Sequence, residues 1–141
     1  MITQLKHNFF QISFLSMGWL TLLISIYHPI SYIMPTYLWH LFLIAVIVAG
    51  VFGVIYPYLW NYTTWGAIRN VGCATLTNFV AIFSGLGLFS NRVLKTILPF
   101  WWEILTLTLI LHILMFYIYR NYQNKKLIQQ LNSVSEKGLK S

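Results

Sequence analysis

The sequence contains few ionisable side chains that could do chemistry, and they stand apart from one another. Glu103 lies near the start of a long apolar stretch, and His112 follows it nine residues later. An acid or a histidine at membrane depth suggests a proton or cation pathway unless a structural role accounts for it. At about 100° per helical residue the two side chains project from opposite faces, so they cannot form one acid–base pair on that helix.

Structural roles are favoured for both residues. Glu103 is shallow and neighbours two tryptophans, so its carboxylate can reach the interface, where Arg92 or Lys95 of the preceding loop could pair with it. His112 at mid-span is expected to donate a hydrogen bond to a carbonyl or hydroxyl of a neighbouring helix. The sequence therefore favours structural intramembrane polar residues over a transport pathway.

No group of residues has the spacing of a familiar catalytic or metal site. The single cysteine, Cys73, excludes an intrachain disulfide and a multi-cysteine metal site, and is expected to be a small packing residue. His28 and His40 flank one loop but belong to no cluster with ligand spacing. The sequence has no nucleophile elbow, zinc motif, paired carboxylates or glycine-rich phosphate loop. We therefore expect a non-enzymatic protein with no catalytic residue, metal or cofactor.

The composition indicates a membrane protein of one domain. Its 141 residues are 58% apolar and only 8% charged, against about 25% charged in a soluble domain. So little charge cannot cover a surface in water, and the natural solvent is the lipid bilayer. The net charge of +7 is concentrated after the last apolar stretch, which is typical of a flank facing anionic lipid and not of direct nucleic-acid binding.

Four stretches are long and apolar enough to cross a hydrocarbon core, which takes about 20 helical residues. They are residues 9–27, 38–60, 71–89 and 97–119. None alternates with period two, and a backbone in lipid must satisfy its own amides, so helices are expected. Pro57 should bend the last turn of the second span. The prediction is an all-α polytopic protein with an N-terminus at 1–8, a four-helix transmembrane domain at 9–119 and a basic tail at 120–141.

The bias of lysine and arginine in the loops sets the expected orientation. Seven basic residues fall on the side of the N-terminus and the tail, whereas Arg92 and Lys95 fall on the other side. Both termini are therefore expected in the cytoplasm, in a multi-pass protein of the cell membrane. Five tryptophans near span ends agree with interfacial belts, namely Trp39, Trp60, Trp65, Trp101 and Trp102.

Small residues recur at helical spacing on the second and third spans, a pattern that lets helix backbones approach closely. The second span carries Ala45, Ala49 and Gly53, and the third carries Ala74, Asn78, Ala81 and Gly85. A short loop makes these spans antiparallel neighbours, so the two stripes are expected to meet, with Asn78 hydrogen-bonding across. The alternative is that one stripe forms the surface of a homodimer.

The tail is predicted to continue the fourth span as an amphipathic helix. Its apolar side carries Leu127, Ile128, Leu131 and Val134, and its polar side carries Lys125, Lys126, Gln129 and Gln130. Such an extension can lie on the inner leaflet, fray into solvent or dock a cytoplasmic partner. From the residue pattern alone the first two roles are favoured.

The order of motifs along nearly the whole chain is also informative. In chain order they are Met17-Gly18-Trp19, Gly50 with Gly53, the loop from Trp65 to Asn70, Thr77-Asn78-Phe79, Leu98–Phe100 and the run from Tyr117 to Arg120. This order resembles a family of small four-span bacterial membrane proteins of otherwise undefined function. Their genes lie beside those of LytTR-type DNA-binding transcription regulators, mainly in Gram-positive bacteria. Asn78 departs from the histidine that the family often has at that position.

The resemblance implies a function and a surface. Some members of such pairs inhibit the cognate regulator, so this chain would bind and restrain a cytoplasmic LytTR-type regulator without catalysis. The resemblance implies contact through the inner loop and the tail. The candidate contact residues are Arg69, Arg120, Lys125, Lys126, Leu127 and Leu131.

Two other functions fit the residue pattern. A small transporter or exporter subunit would have a similar size, although the first span lacks the deep acid of the small multidrug exporters. A pore-forming or immunity protein of a toxin system is the other alternative, since small polytopic proteins with basic tails are common there.

Overall fold

The structure is a computed structural model that describes the backbone of residues 1–27 and 35–138 and the side chains of residues 1–26 and 37–132. In chain order its elements are α1 (Ile2–Tyr27), α2 (Pro35–Ala49), a π-helical turn (Gly50–Ile55), α3 (Tyr56–Asn61), α4 (Ala67–Phe89), α5 (Asn91–Ile97), a 3-10 turn (Leu98–Phe100) and α6 (Trp101–Gly138). Every element within these ranges is a helix, and the all-α prediction is confirmed.

Four helical stretches are long and apolar enough to cross a membrane, as predicted. They are Ile2–Ile26, Tyr37–Asn61, Ala67–Phe89 and Asn91–Asn132. Large apolar side chains lie on the outside of the bundle; Phe14, for example, is 82% exposed. This arrangement suits a protein whose surface contacts hydrocarbon, so the chain is a multi-pass membrane protein. The first and third spans begin earlier than expected because helical hydrogen bonding continues through their polar ends.

The second span changes its helical register just before Pro57. The N–H of Tyr56 donates to the carbonyl of Val51, five residues back, at the end of the π-helical turn. Pro57 has no N–H for the carbonyl of Gly53, and its ring crowds that carbonyl. A wide turn relieves this conflict while keeping most amides bonded. The disturbance expected at the last turn of the span is therefore found one turn earlier.

Gly53 packs against α1 and not against the third span. A Cβ at Gly53 would lie 2.9 Å from the Cα of Phe9 and 3.0 Å from its backbone nitrogen. At this position the expected pairing of the two small-residue stripes is wrong. The sequence identifies which face is small but not which helix it meets, and the π-helical turn also rotates the residues that follow Ala49.

The spans pack in the order α1, α2, α4 and α6, and α4 contacts both the second and the fourth spans. Ala49 and Ala74 are fully buried, and Ala81 is half-buried, so these members of the stripes do line helix contacts. A Cβ at Gly85 would meet no atom within 4 Å, so this glycine is not needed for close approach. The cross-helix hydrogen bond expected of Asn78 is not formed with any residue whose side chain the structure describes.

The fourth span and the tail form a single helix. α6 has 38 residues, a length of about 57 Å at about 1.5 Å per residue. It starts after the 3-10 turn that contains Pro99, a residue that is accommodated in the first turn of a helix. Residues 120–138 extend it by about 28 Å beyond the predicted end of the span. Residues 120–138 of the tail are therefore a helical continuation of the span, with no break between them.

Candidate functional site

A buried polar contact joins the second and fourth spans at His112, which is 6% exposed. The Nδ1 of His112 lies 2.7 Å from the carbonyl oxygen of Thr108. Because a carbonyl can only accept, Nδ1 carries the proton and donates, which leaves Nε2 of the neutral ring as an acceptor. The hydroxyl of Tyr56 supplies the hydrogen bond to Nε2. His112 is thus buried and hydrogen-bonded, but it donates within its own helix, and the bond between the two helices is the one that it accepts from Tyr56.

Aromatic rings continue this contact toward the end of the bundle. Tyr56 and Trp60 stack with their planes 7° apart, and the ring of Trp60 lies 5.0 Å from that of Tyr119. The hydroxyl of Tyr119 donates to the Oδ1 of Asn61 and accepts from the amide of Gln123 at 2.9 Å. Tyr56 and Trp60 are four residues apart, so one helix face presents both rings. The start of the tail is thereby fixed to the end of α3.

The N-terminus, the loop after α3 and the start of the tail lie at one end of the bundle. The hydroxyl of Tyr62 donates to the Oε1 of Gln4 at 3.1 Å, which connects the loop to α1. The bond between Tyr119 and Asn61, the last residue of α3 before that loop, connects the same end of the second span to α6. Among the residues with described side chains, the basic groups that the sequence assigns to one side of the membrane therefore lie toward one end of the molecule, namely Lys6, Arg69, Arg120, Lys125 and Lys126.

An open polar cleft of about 410 Å³ lies at this end. It is lined by Trp60, Asn61, Thr63, Thr64, Trp65, Asn70, Phe116, Tyr119, Arg120 and Gln123. Three segments build it: the end of α3 with the loop that follows, the first turn of α4, and one face of α6 at the point where the helix leaves the bundle. Amides, hydroxyls, indoles and one guanidinium therefore face a common space.

Asn70 forms the buried wall of this cleft and is only 5% exposed. The hydroxyl of Thr63 donates to the carbonyl of Leu59 at 2.5 Å and to the Oδ1 of Asn70 at 3.0 Å, sharing its one proton between them. The Nδ2 of Asn70 makes no hydrogen bond to any described residue and is not fully enclosed. Its two N–H groups are therefore donors without a partner among the described residues, on a side chain that lines the cleft.

The electrostatic character of the cleft is cationic. Arg120 makes no ion pair within the side chains that the structure describes, and none of the described lining residues is acidic. The chain has only two acids, Glu103 and Glu136. Along α6 they lie seventeen and sixteen residues from Arg120, or about 25 Å in either direction. Arg69, which is exposed beside Asn70, adds a further positive charge near the opening.

Beyond the cleft, α6 presents an exposed apolar face. Leu127 and Ile128 are each 56% exposed and Leu131 is 61% exposed. Lys125 and Lys126 are exposed on other sides of the same helix. All six candidate contact residues from the sequence are thus exposed, and Arg120 also lines the cleft. Val134 lies outside the residues whose side chains are described.

Glu103 lies near the opposite end of the bundle, in the first turn of α6, and is exposed. The ion pair expected with Arg92 or Lys95 is not formed; all three side chains lie within the described range 37–132. A carboxylate in the first turn of a helix is favoured by the helix dipole, which is compatible with this position of Glu103 without a cation. His112 and Glu103 are not brought together.

The described residues contain no cluster of three or more histidine, cysteine, aspartate or glutamate side chains that could hold a metal ion. Cys73 is a partly buried free thiol. His28 lies outside the described residues.

The sequence did not identify Tyr56, Asn61 or Thr63 as parts of a site, because tyrosine, asparagine and threonine near a span end are ordinary interfacial residues. Trp60 and Trp65 were expected only as interfacial anchors. The available signal was the concentration of amide and hydroxyl side chains in the loop between the second and third spans.

Comparisons of the chain with protein-family models, curated proteins and solved structures found no match.

Proposed function

We propose that this chain is a non-enzymatic membrane protein that binds a cytoplasmic LytTR-type transcription regulator and restrains it at the inner leaflet. The observation that supports this function is the continuous helix α6, which carries its apolar face well beyond the bundle. The partner class comes from the resemblance of the motif order. The helix supplies the surface with which such a partner would pack.

The exposed face of α6 suits docking of its helix into a groove of the partner. Leu127, Ile128 and Leu131 are all more than half exposed, so a partner could remove substantial apolar area from water. Covering the exposed part of one such side chain contributes about 1 kcal/mol. Three of them would strengthen binding roughly 100-fold. The lysines beside them would attract an acidic partner surface and raise the association rate.

Restraint would follow from the geometry of attachment. Arg69 and Arg120 lie at the same end of the bundle, on α4 and α6, and Asn70 beside Arg69 lines the same cleft as Arg120. A regulator held by both the loop and the tail would be tethered to a membrane-spanning helix. Its contact surface for DNA or for a second regulator copy would then be withheld for as long as the complex lasts.

Co-purification tests the proposal. A tagged full-length chain, solubilised in neutral detergent, is used to capture a LytTR-type regulator expressed with it. The double variant Leu127→Ser, Leu131→Ser should weaken capture by about 30-fold, because about 2 kcal/mol of apolar contact is removed. Gln129→Ser changes the opposite side of the same helix and should leave capture unchanged.

Two results would contradict the proposal. Capture that survives removal of residues 125–141 would show that the tail is not the docking surface. Unchanged expression of the regulator's target genes after deletion of this chain would argue against restraint itself.

A small transporter is the alternative, with Glu103 as its coupling acid. The position of Glu103 at the start of α6, together with the hydrogen bonding of both nitrogens of His112, gives this function less support. Proton-coupled flux that is abolished by Glu103→Gln would favour it.

A further inference from the structure

The cleft between α3, α4 and α6 has the features of an anion site. We infer that it binds a phosphoryl group, carried either by the headgroup of a phospholipid at that membrane surface or by a soluble phosphate compound. The inference concerns only the residues that line the cleft. It does not rest on the proposed docking of a regulator on the apolar face of the tail.

The first support is the unsatisfied amide of Asn70. A side chain that is 5% exposed would ordinarily have its polar atoms paired within the protein. Only the Oδ1 of Asn70 is paired, with Thr63, so the side chain of this cleft-lining residue has two N–H donors without a described partner. The bond from Thr63 fixes the amide plane, so these donors are oriented before a ligand arrives. Donors without a matching acceptor suit a ligand that brings several oxygen acceptors.

The second support is charge. Arg120 reaches the cleft with no ion-pair partner among the described side chains, and a guanidinium is shaped for two parallel hydrogen bonds to a phosphate. α4 begins at Ala67 with no side-chain cap at Gly66, so its first N–H groups are uncapped, and Asn70 in the first turn of this helix lines the cleft. A helix N-terminus of this kind favours anions, and no acidic side chain among the described lining residues opposes it.

The third support is the size and lining of the cleft. Its volume of about 410 Å³ exceeds that of a bare phosphate and leaves room for an attached glycerol or sugar. Trp60, Trp65 and Tyr119 are amphipathic rings of the type that sits at the level of lipid headgroups. The cleft thus combines polar donors with a few amphipathic rings, as a headgroup site requires.

Binding can be measured on the full chain in neutral detergent, because Trp60 and Trp65 line the cleft and their fluorescence should respond to a ligand. One titration uses mixed micelles of dioleoyl phosphatidylglycerol, with dioleoyl glucosyl-diacylglycerol as the matched lipid without phosphate. The other uses inorganic phosphate against chloride at equal ionic strength. A saturable response to the phospholipid alone identifies a headgroup, and a response to phosphate identifies the phosphoryl group itself as sufficient.

Variants separate the site from general attraction to a basic protein. Arg120→Gln should weaken binding about tenfold, because a charge-assisted hydrogen bond is lost. Asn70→Asp keeps an acceptor for Thr63 but replaces the two donors with a negative charge, so it should lower affinity at least as much. Arg92→Gln removes the same charge at the opposite end of the bundle and should bind like the parent. Circular dichroism confirms that each variant is folded.

Three outcomes would overturn the inference. They are no response to either phosphate-bearing ligand, an equal response to the glucosyl lipid and the phospholipid, and an equal loss of affinity in Arg92→Gln and Arg120→Gln. Arg120→Lys should recover part of the affinity lost in Arg120→Gln, since it restores the charge without the planar fork.

Discussion

Replacing Gly53 by alanine is expected to destabilise the bundle, although alanine is the better helix former. The new Cβ would lie 2.9 Å from the Cα of Phe9 and 3.1 Å from the carbonyl carbon of Asn8. Ordinary van der Waals contact of a Cβ lies at 3.4–4 Å. These are backbone atoms, so no side chain can rotate away, and α1 must move by several tenths of an ångström. Overpacking of this kind costs about 1–3 kcal/mol.

Gly50 provides the matched control. It lies in the same π-helical turn, and a Cβ there would meet no atom within 4 Å. Gly50→Ala therefore has the same change in backbone propensity, which is favourable by about 1 kcal/mol, without the clash. The difference between the two variants isolates the contact with α1, and it should be about 1–3 kcal/mol.

The assay is reversible unfolding of the purified chain in mixed micelles, with increasing fractions of a denaturing detergent and helicity followed by circular dichroism. Gly53→Ala should unfold at a lower fraction of denaturing detergent than Gly50→Ala. Equal midpoints for the two variants would refute the close approach of the second span to α1. A larger loss of stability in Gly50→Ala would show that the close contact with α1 is made at Gly50 and not at Gly53.

Two further predictions concern the interior and the topology. Tyr56→Phe should lower the free energy of unfolding by about 1–3 kcal/mol, because the Nε2 of buried His112 loses its hydrogen-bond donor. Tyr58→Phe is the control and should change the free energy of unfolding little, because Tyr58 is exposed and has no side-chain hydrogen bond in the described structure. Equal effects of the two variants in the same unfolding assay would contradict a stabilising bond between Tyr56 and His112. The topology can be tested with single cysteines at the positions of Lys125 and Lys95, in a chain whose own cysteine is replaced. A membrane-impermeant thiol reagent should label the two positions from opposite sides of sealed vesicles, with position 125 on the cytoplasmic side. Labelling of both positions from the same side would contradict the orientation inferred from the basic residues.

The four spans could be predicted from the sequence because membrane insertion depends on local properties. A run of about 20 apolar residues determines both where a helix crosses and that it must be a helix. Boundaries were less accurate: α1 begins at Ile2 and α4 at Ala67, ahead of the expected residues 9 and 71. Hydropathy marks the apolar core of a span, whereas the helix continues for as long as its backbone hydrogen bonds do.

The partners of individual side chains could not be predicted in the same way. The sequence marks Gly53 as small but does not say that Phe9 will lie against it. It places Asn70 near a span end but does not indicate that Thr63 will occupy one of its amide atoms and leave the other free. Such pairings join residues distant in the chain or depend on the exact angle of a turn, and no periodic pattern encodes them.

The sequence by itself determined that this chain is a four-span membrane protein with an amphipathic, basic end. Composition and periodicity fix that result because each helix must satisfy its own backbone in lipid. The tertiary structure decided what the end of the bundle looks like. Packing against Trp60 and Asn61 fixes Tyr119 at the start of the tail, so Arg120 and Asn70 line one cleft and the apolar face of α6 remains exposed beyond it. Those positions depend on contacts between helices, which only the folded chain creates.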